Sequence, residues 1–142
     1  MILKYLSKFI WTLQKMKLTK NFKSNEFNCK CKCKFPARFQ NNRLKLAKNL
    51  QIIRDFIGKP LKINSSFRCK AHNKAVGGVS NSQHTTGKAA DVKAKGMNAF
   101  QLGQVIRDLQ LEGKIARGGV GQYASFVHYD IRGHIARWEG SK

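Results

Sequence analysis

Two short segments carry side chains suited to binding a metal. Residues 82–91 read SQHTTGKAAD, and residues 126–130 read FVHYD. They supply His84, Asp91 and His128, two imidazoles and one carboxylate. Three protein ligands, with a fourth position left to water, is the stoichiometry of a catalytic zinc site; structural zinc is usually closed by four. Gly87, Ala89 and Ala90 let the chain turn and then run as a tight strand, so the first two ligands can converge on one Zn2+. His72 and His134 lack such a setting; His72 reads as a loop residue, and His134 as a surface residue or one that supports a metal ligand from behind.

Zinc polarises a peptide carbonyl and lowers the pKa of bound water to about 7. A base must still take the proton. The acids are Glu26, Asp55, Asp91, Asp108, Glu112, Asp130 and Glu139. Asp55, Asp108 and Glu112 fall on the polar sides of predicted helices, Glu26 lies in a cysteine-rich loop, and Asp91 is spent on the metal. Asp130 follows His128 by two residues and so shares its strand face. It is the candidate base, with orientation of His128 as its alternative role and Glu139 as the fallback.

The pattern SxHxxGxAxD with a distal HxD resembles the zinc peptidases of bacterial cell walls. That family includes D-Ala-D-Ala carboxypeptidases and dipeptidases, endopeptidases of phage lysins and other murein endopeptidases, and it shares a fold with the hedgehog signalling domain. Residues 65–78, SSFRCKAHNKAVGG, resemble the family's S-G-Y-R segment and the loop after it. Residues 118–123, GGVGQY, and the closing ARW at 136–138 also fit. The resemblance runs over residues 22–138 and is strongest in the subgroup whose second histidine sits in HxD.

By resemblance, Arg68 binds substrate and stabilises charge near the scissile bond; a guanidinium fork matches a carboxylate bidentately. Ser82 hydrogen-bonds substrate and Tyr123 lines the cleft. Many relatives carry an acid three residues before the second histidine. Here that residue is Ser125, which cannot act as a base, so Asp130 stands in its place. The implied function is a zinc-dependent peptidoglycan peptidase that cuts D-amino-acid-containing stem or cross-link bonds, in lysing or entering cells. A D-Ala-D-Ala carboxypeptidase is the alternative within enzymes. A wall-binding module that keeps the metal without the chemistry is the alternative outside them. The expected place of action is the bacterial cell wall or periplasm, with a phage-encoded origin and a monomeric state.

Composition agrees with one ordinary domain: 142 residues, 42% hydrophobic, enough to bury a core. Charge is the anomaly, with 28 basic against 7 acidic residues and a net of +21. Such a surface is drawn to polyanions. Peptidoglycan carboxylates, anionic envelope polymers and lipids are the expected partners. No recognised nucleic-acid motif accompanies the charge, so no specific nucleic-acid partner is expected.

Residues 1–16, MILKYLSKFIWTLQKM, read as a short cationic helix with one apolar side, suited to touching a membrane or packing on its own domain. Lysines interrupt each apolar run long before the ~20 residues of a membrane span. The segment also lacks the features of a clear signal peptide. The expected organisation is a cationic amphipathic segment at 1–21 and a zinc peptidase domain at 22–142.

Cys29, Cys31 and Cys33 form a CKCKC run, with Cys69 directly after Arg68. Side chains two apart in an extended chain point the same way, so the run presents a row of thiols. With Cys69 it could close a four-thiolate structural metal site. Disulfides and free thiols are the alternatives.

The elements that must position these groups make an α+β domain: a small, mostly antiparallel sheet with flanking helices. Asn41/Asn42 cap a helix through Leu44, Ala47, Leu50, Ile53 and Ile57, stopped by Gly58 and Pro60. Residues 61–65 and 89–93 read as strands, with His84 on a loop between them. Asn98 and Gln101 open a second helix with a capping box, its stripe being Leu102, Val105, Ile106 and Leu109, and Gly113 stops it. Residues 118–121 and 126–131 then form a hairpin-like pair.

Overall fold

The structure, a computed structural model, describes residues 16–141. The expected amphipathic helix at the N-terminus therefore lies outside the described residues, apart from Met16. Residues 16–21 already belong to the folded body. The Met16 carbonyl accepts from Ser24 N at 2.8 Å, Thr19 Oγ1 donates to Gln51 Oε1 at 2.9 Å, and Leu18 packs on the core.

Among the described residues, three α-helices accompany five strands: α1 (Gln40–Ile57), β1 (Leu61–Ser65), α2 (Lys70–Ala75), β2 (Ala89–Ala94), α3 (Ala99–Leu111), β3 (Gly119–Gln122), β4 (Val127–Asp130) and β5 (Ala136–Glu139). The sheet order is β1-β2-β4-β3-β5. Every pairing is antiparallel except β3 with β5, which is parallel. The α+β expectation holds.

Strand alternation divides the sheet. Ala90, Val92, Val127, Tyr129 and Val120 join the core with Leu46, Leu50, Ile53, Leu102, Ile106 and Leu109 from the helices. Their neighbours Asp91, His128 and Asp130 must therefore point to the other face.

Helix α3 starts as expected. Asn98 Oδ1 accepts from Gln101 N at 2.8 Å, and Gln101 Oε1 accepts from Asn98 N at 3.0 Å. The first helix does not. A 3-10 turn, Ala37–Phe39, leads into it, and its N-cap is Phe39 without a side-chain cap. Asn41 and Asn42 lie inside the first turn, and Asn42 Nδ2 donates to the Thr86 carbonyl at 2.9 Å instead. The buried stripe passes through Leu46 rather than Leu44. At its end Gly58 adopts φ 64, the left-handed C-cap that glycine takes without a Cβ penalty.

Candidate metal centre

One row across the sheet builds the site. Asp91 on β2 is the register partner of His128 on β4, His128 of Gly121 on β3, and Gly121 of Trp138 on β5. A Cβ on Gly121 would stand 2.5 Å from the Trp138 indole. Its absence lets that ring reach His128, with centroids 4.9 Å apart. Gly118 and Gly119 serve a similar purpose, since a Cβ on either would overlap Asp130. The glycine run thus makes room for Trp138 and Asp130 rather than making a turn.

His84 comes from a 3-10 turn, Gln83–Thr86, in place of the expected loop. Ser82 caps it by accepting from His84 N at 3.2 Å, and Gly87 at φ 72 ends it. The His84 carbonyl accepts from Arg68 N at 3.1 Å.

The two imidazoles are held in opposite tautomers. His84 Nδ1 lies 2.6 Å from the Ser66 carbonyl. A carbonyl only accepts, so Nδ1 donates and Nε2 keeps its lone pair. His128 Nε2 lies 2.8 Å from Asp130 Oδ2 and donates there, which leaves Nδ1 free. These two free nitrogens are 3.2 Å apart, and Asp91 Oδ1 is 3.2 Å from each. Bonds of about 2.0–2.1 Å to a tetrahedral ion would set ligand atoms roughly 3.3–3.4 Å apart. The triangle therefore fits zinc in size and in donor chemistry.

Electrostatics favour the ligand state at His84 and Asp91 but the charged ring at His128. Burial lowers the His84 pKa, outweighing Asp91, and so favours the neutral ring. Burial alone would raise the Asp91 carboxyl, but His128 and His84 outweigh it and hold it well below the carboxylate range. Burial would likewise lower His128, yet the carboxylates of Asp130 and Asp91 raise it on balance.

Asp130 is 0% exposed. Its Oδ1 accepts from Gly119 N at 2.8 Å, Arg132 N at 3.1 Å and Arg132 Nε at 2.9 Å. Its Oδ2 accepts from Arg132 Nη2 at 2.7 Å as well as from His128. It sits behind the imidazole, on the edge opposite the free nitrogen, and does not line the cleft. Glu139 is also absent from the lining, because its neighbour Trp138 takes the cleft side of β5. Ser125 is exposed in the β3–β4 turn. Among the described residues, Asp91 is the only carboxylate lining the cleft.

The cleft encloses about 570 Å³. Arg68, Ser82 and Tyr123 line it. Arg68 Nη2 makes one long contact, 3.5 Å to Ser82 Oγ, and its buried Nε has no partner. Tyr123 stacks on Phe126 at 4.4 Å, and its hydroxyl accepts from Trp138 Nε1 at 3.2 Å. His72 and His134 stay outside the cleft. Sequence reasoning missed Arg132, whose guanidinium neutralises Asp130 and also lies 5.3 Å from the Trp138 ring. Its i+2 spacing from Asp130 was the available signal.

A family model for peptidase M15 matches residues 20–130. The chain belongs to the peptidase M15 family. A zinc D-Ala-D-Ala carboxypeptidase of Streptomyces albus G is 40% identical over 73 residues, which are 51% of this chain and 29% of that protein. The chain thus matches under a third of that relative's length. The family is one of peptidases, and the Streptomyces relative is by name a zinc enzyme. The His84–Asp91–His128 group could hold the ion.

The four cysteines lie to one side of the cleft, their sulfurs within 4.8 Å of one another. No described helix is long and apolar enough to cross a membrane.

Proposed function

We propose that this M15 peptidase hydrolyses a D-alanyl peptide bond of the peptidoglycan stem, with the substrate's C-terminal carboxylate held by Arg68. The observation that carries this reading is the unspent guanidinium of Arg68 beside the His–Asp–His triangle. A half-buried cation with free donors is a strong site for a carboxylate, because charge-assisted bonds to a planar fork are short and directional. A stem peptide ends in such a group. The name of the Streptomyces relative adds support from outside the structure.

His84, Asp91 and His128 would hold the zinc, which supplies a Lewis acid for the scissile carbonyl and acidifies water to about 7. Ser66 and Asp130 fix the tautomers that leave one nitrogen of each histidine free. Asp130 is then a positioning residue, and Arg132 balances its charge. Tyr123, Phe126 and Trp138 supply an apolar wall for small side chains such as the D-alanine methyls. Ser82 orients both the His84 turn and the Arg68 fork. The charge of +21 would hold the enzyme on an anionic wall, outside the cytoplasmic membrane, where it suits lysis or penetration of that wall.

Mass spectrometry of muropeptides digested with zinc-loaded protein tests the proposal. Loss of one terminal D-alanine from pentapeptide stems is expected. Disappearance of cross-linked dimers with intact pentapeptide ends would mean an endopeptidase instead. Unchanged muropeptides would remove both readings.

A further inference from the structure

Beside the catalytic cleft, Cys29 Sγ lies 3.2 Å from Cys31 Sγ and 3.9 Å from Cys69 Sγ. Cys31 Sγ is 3.6 Å from Cys69 Sγ, and Cys33 completes the group. Four sulfurs at about 2.3 Å from one zinc ion stand roughly 3.8 Å apart at the corners of a tetrahedron. The observed spacings bracket that value. A disulfide joins two sulfurs at about 2.05 Å, and the contacts here single out no one pair.

The backbone is shaped around the cluster. The CKCKC run is not the extended row that its spacing suggested. Lys32 N donates to the Cys29 carbonyl at 3.0 Å, closing a turn. Lys32 itself sits at φ 65, the only positive-φ non-glycine among the described residues. Such strain, of order 1–3 kcal/mol, persists where the surroundings over-determine it. Two backbone amides aim at sulfur: Cys69 N at Cys29 Sγ and His72 N at Cys69 Sγ, both at 3.4 Å. Lys30, Lys32, Lys34 and Lys70 flank the cysteines in sequence, a fitting surround for a centre of four thiolates and one divalent ion, whose net charge is −2.

We propose that Cys29, Cys31, Cys33 and Cys69 bind a second, structural zinc ion that pins the 29–34 loop to the wall of the catalytic cleft. Four protein ligands leave no open position, so this ion has no place for water or substrate. Binding replaces thiol protons by the metal. The ion acts on the cleft through the chain: Cys69 follows Arg68, whose amide donates to the His84 carbonyl, and Phe67 N donates to the Phe27 carbonyl at 3.1 Å. The existence of the site is independent of the proposed substrate.

Cobalt(II) reconstitution of the reduced, metal-free full chain tests it. Two cobalt ions per chain are expected, one of them giving thiolate-to-cobalt charge-transfer absorption and intense tetrahedral d–d bands. His84→Ala should lose one cobalt and keep the charge-transfer band. A Cys31→Ser/Cys33→Ser double variant should lose the band and keep the other cobalt. Absence of the band from wild-type protein would overturn the proposal. So would an intact mass, under non-reducing conditions, lighter than the reduced chain by two or four hydrogens. The wild-type and His84→Ala spectra decide the matter even if the double variant fails to fold.

Discussion

Asp130→Asn separates orientation of His128 from proton transfer. The carboxylate takes three donors on Oδ1 and two on Oδ2. An amide has one acceptor oxygen. If that oxygen serves Gly119 and Arg132 at the Oδ1 position, the NH2 group meets His128 Nε2 and Arg132 Nη2. The imidazole escapes by accepting from the amide, which moves its proton to Nδ1, the nitrogen meant for the metal. Zinc must then displace that proton, and loss of such an orienting partner typically costs about 10–100-fold in affinity. The lost charged hydrogen bonds are each worth about 1.5–3 kcal/mol when buried. Arg132 keeps 23% of its side chain exposed and can turn to water, so the lower end is expected for its share. The pH dependence has a definite sign. Burial would raise the Asp130 carboxyl, but His128, Arg132 and the Gly119 amide outweigh it and depress it. Its stabilisation is therefore fully present above the unfolded value of about 3.9 and fades as pH falls below it. Urea unfolding of metal-free wild type and variant should differ at neutral pH and converge in acid. Zinc affinity, measured against a chromophoric chelator, should drop while turnover recovers at saturating zinc. Normal zinc affinity with turnover reduced on the order of 10²–10⁴-fold would refute the orienting role and restore Asp130 as the base.

Arg68→Ala should lower kcat/KM on a stem peptide by about 10–100-fold, the loss of one charged hydrogen bond, with zinc content unchanged; an unaltered kcat/KM would remove Arg68 from substrate binding. Gly121→Ala forces Trp138 off His128 and should cost about 1–3 kcal/mol by overpacking in a chemical unfolding experiment; a wild-type midpoint would show that the indole can yield. Adsorption to purified cell walls should fall steeply as salt shortens the screening length to about 8 Å near 0.15 M, while turnover of a small soluble peptide changes little. Equal salt dependence of the two would place the useful charge in the cleft instead.

The grouping of His84, Asp91 and His128 was legible because these residues sit in short patterns with fixed strand alternation, and register then places Asp91 opposite His128. The Asn98–Gln101 capping box was legible for a similar reason, since both partners lie within one turn. What escaped depended on distant partners. Asn42 looked like a cap, but Thr86 offered its side chain a carbonyl. β5 is short, and its parallel pairing with β3 arises only after the chain has crossed β4. The burial of Asp130 behind His128 follows from the same packing. Its position two residues on placed it on the right face, but Gly119 and Arg132 take its oxygens behind His128. The cysteine row was misread as extended because nothing in KCKCK announces a left-handed lysine.

A zinc-edge anomalous difference map from crystals of the zinc-loaded protein reads the catalytic centre directly. A peak about 2.0–2.1 Å from His84 Nε2 and His128 Nδ1, and about 2.0–2.2 Å from an Asp91 oxygen, is the expected result. Zinc-loaded crystals with no peak inside that triangle would contradict it.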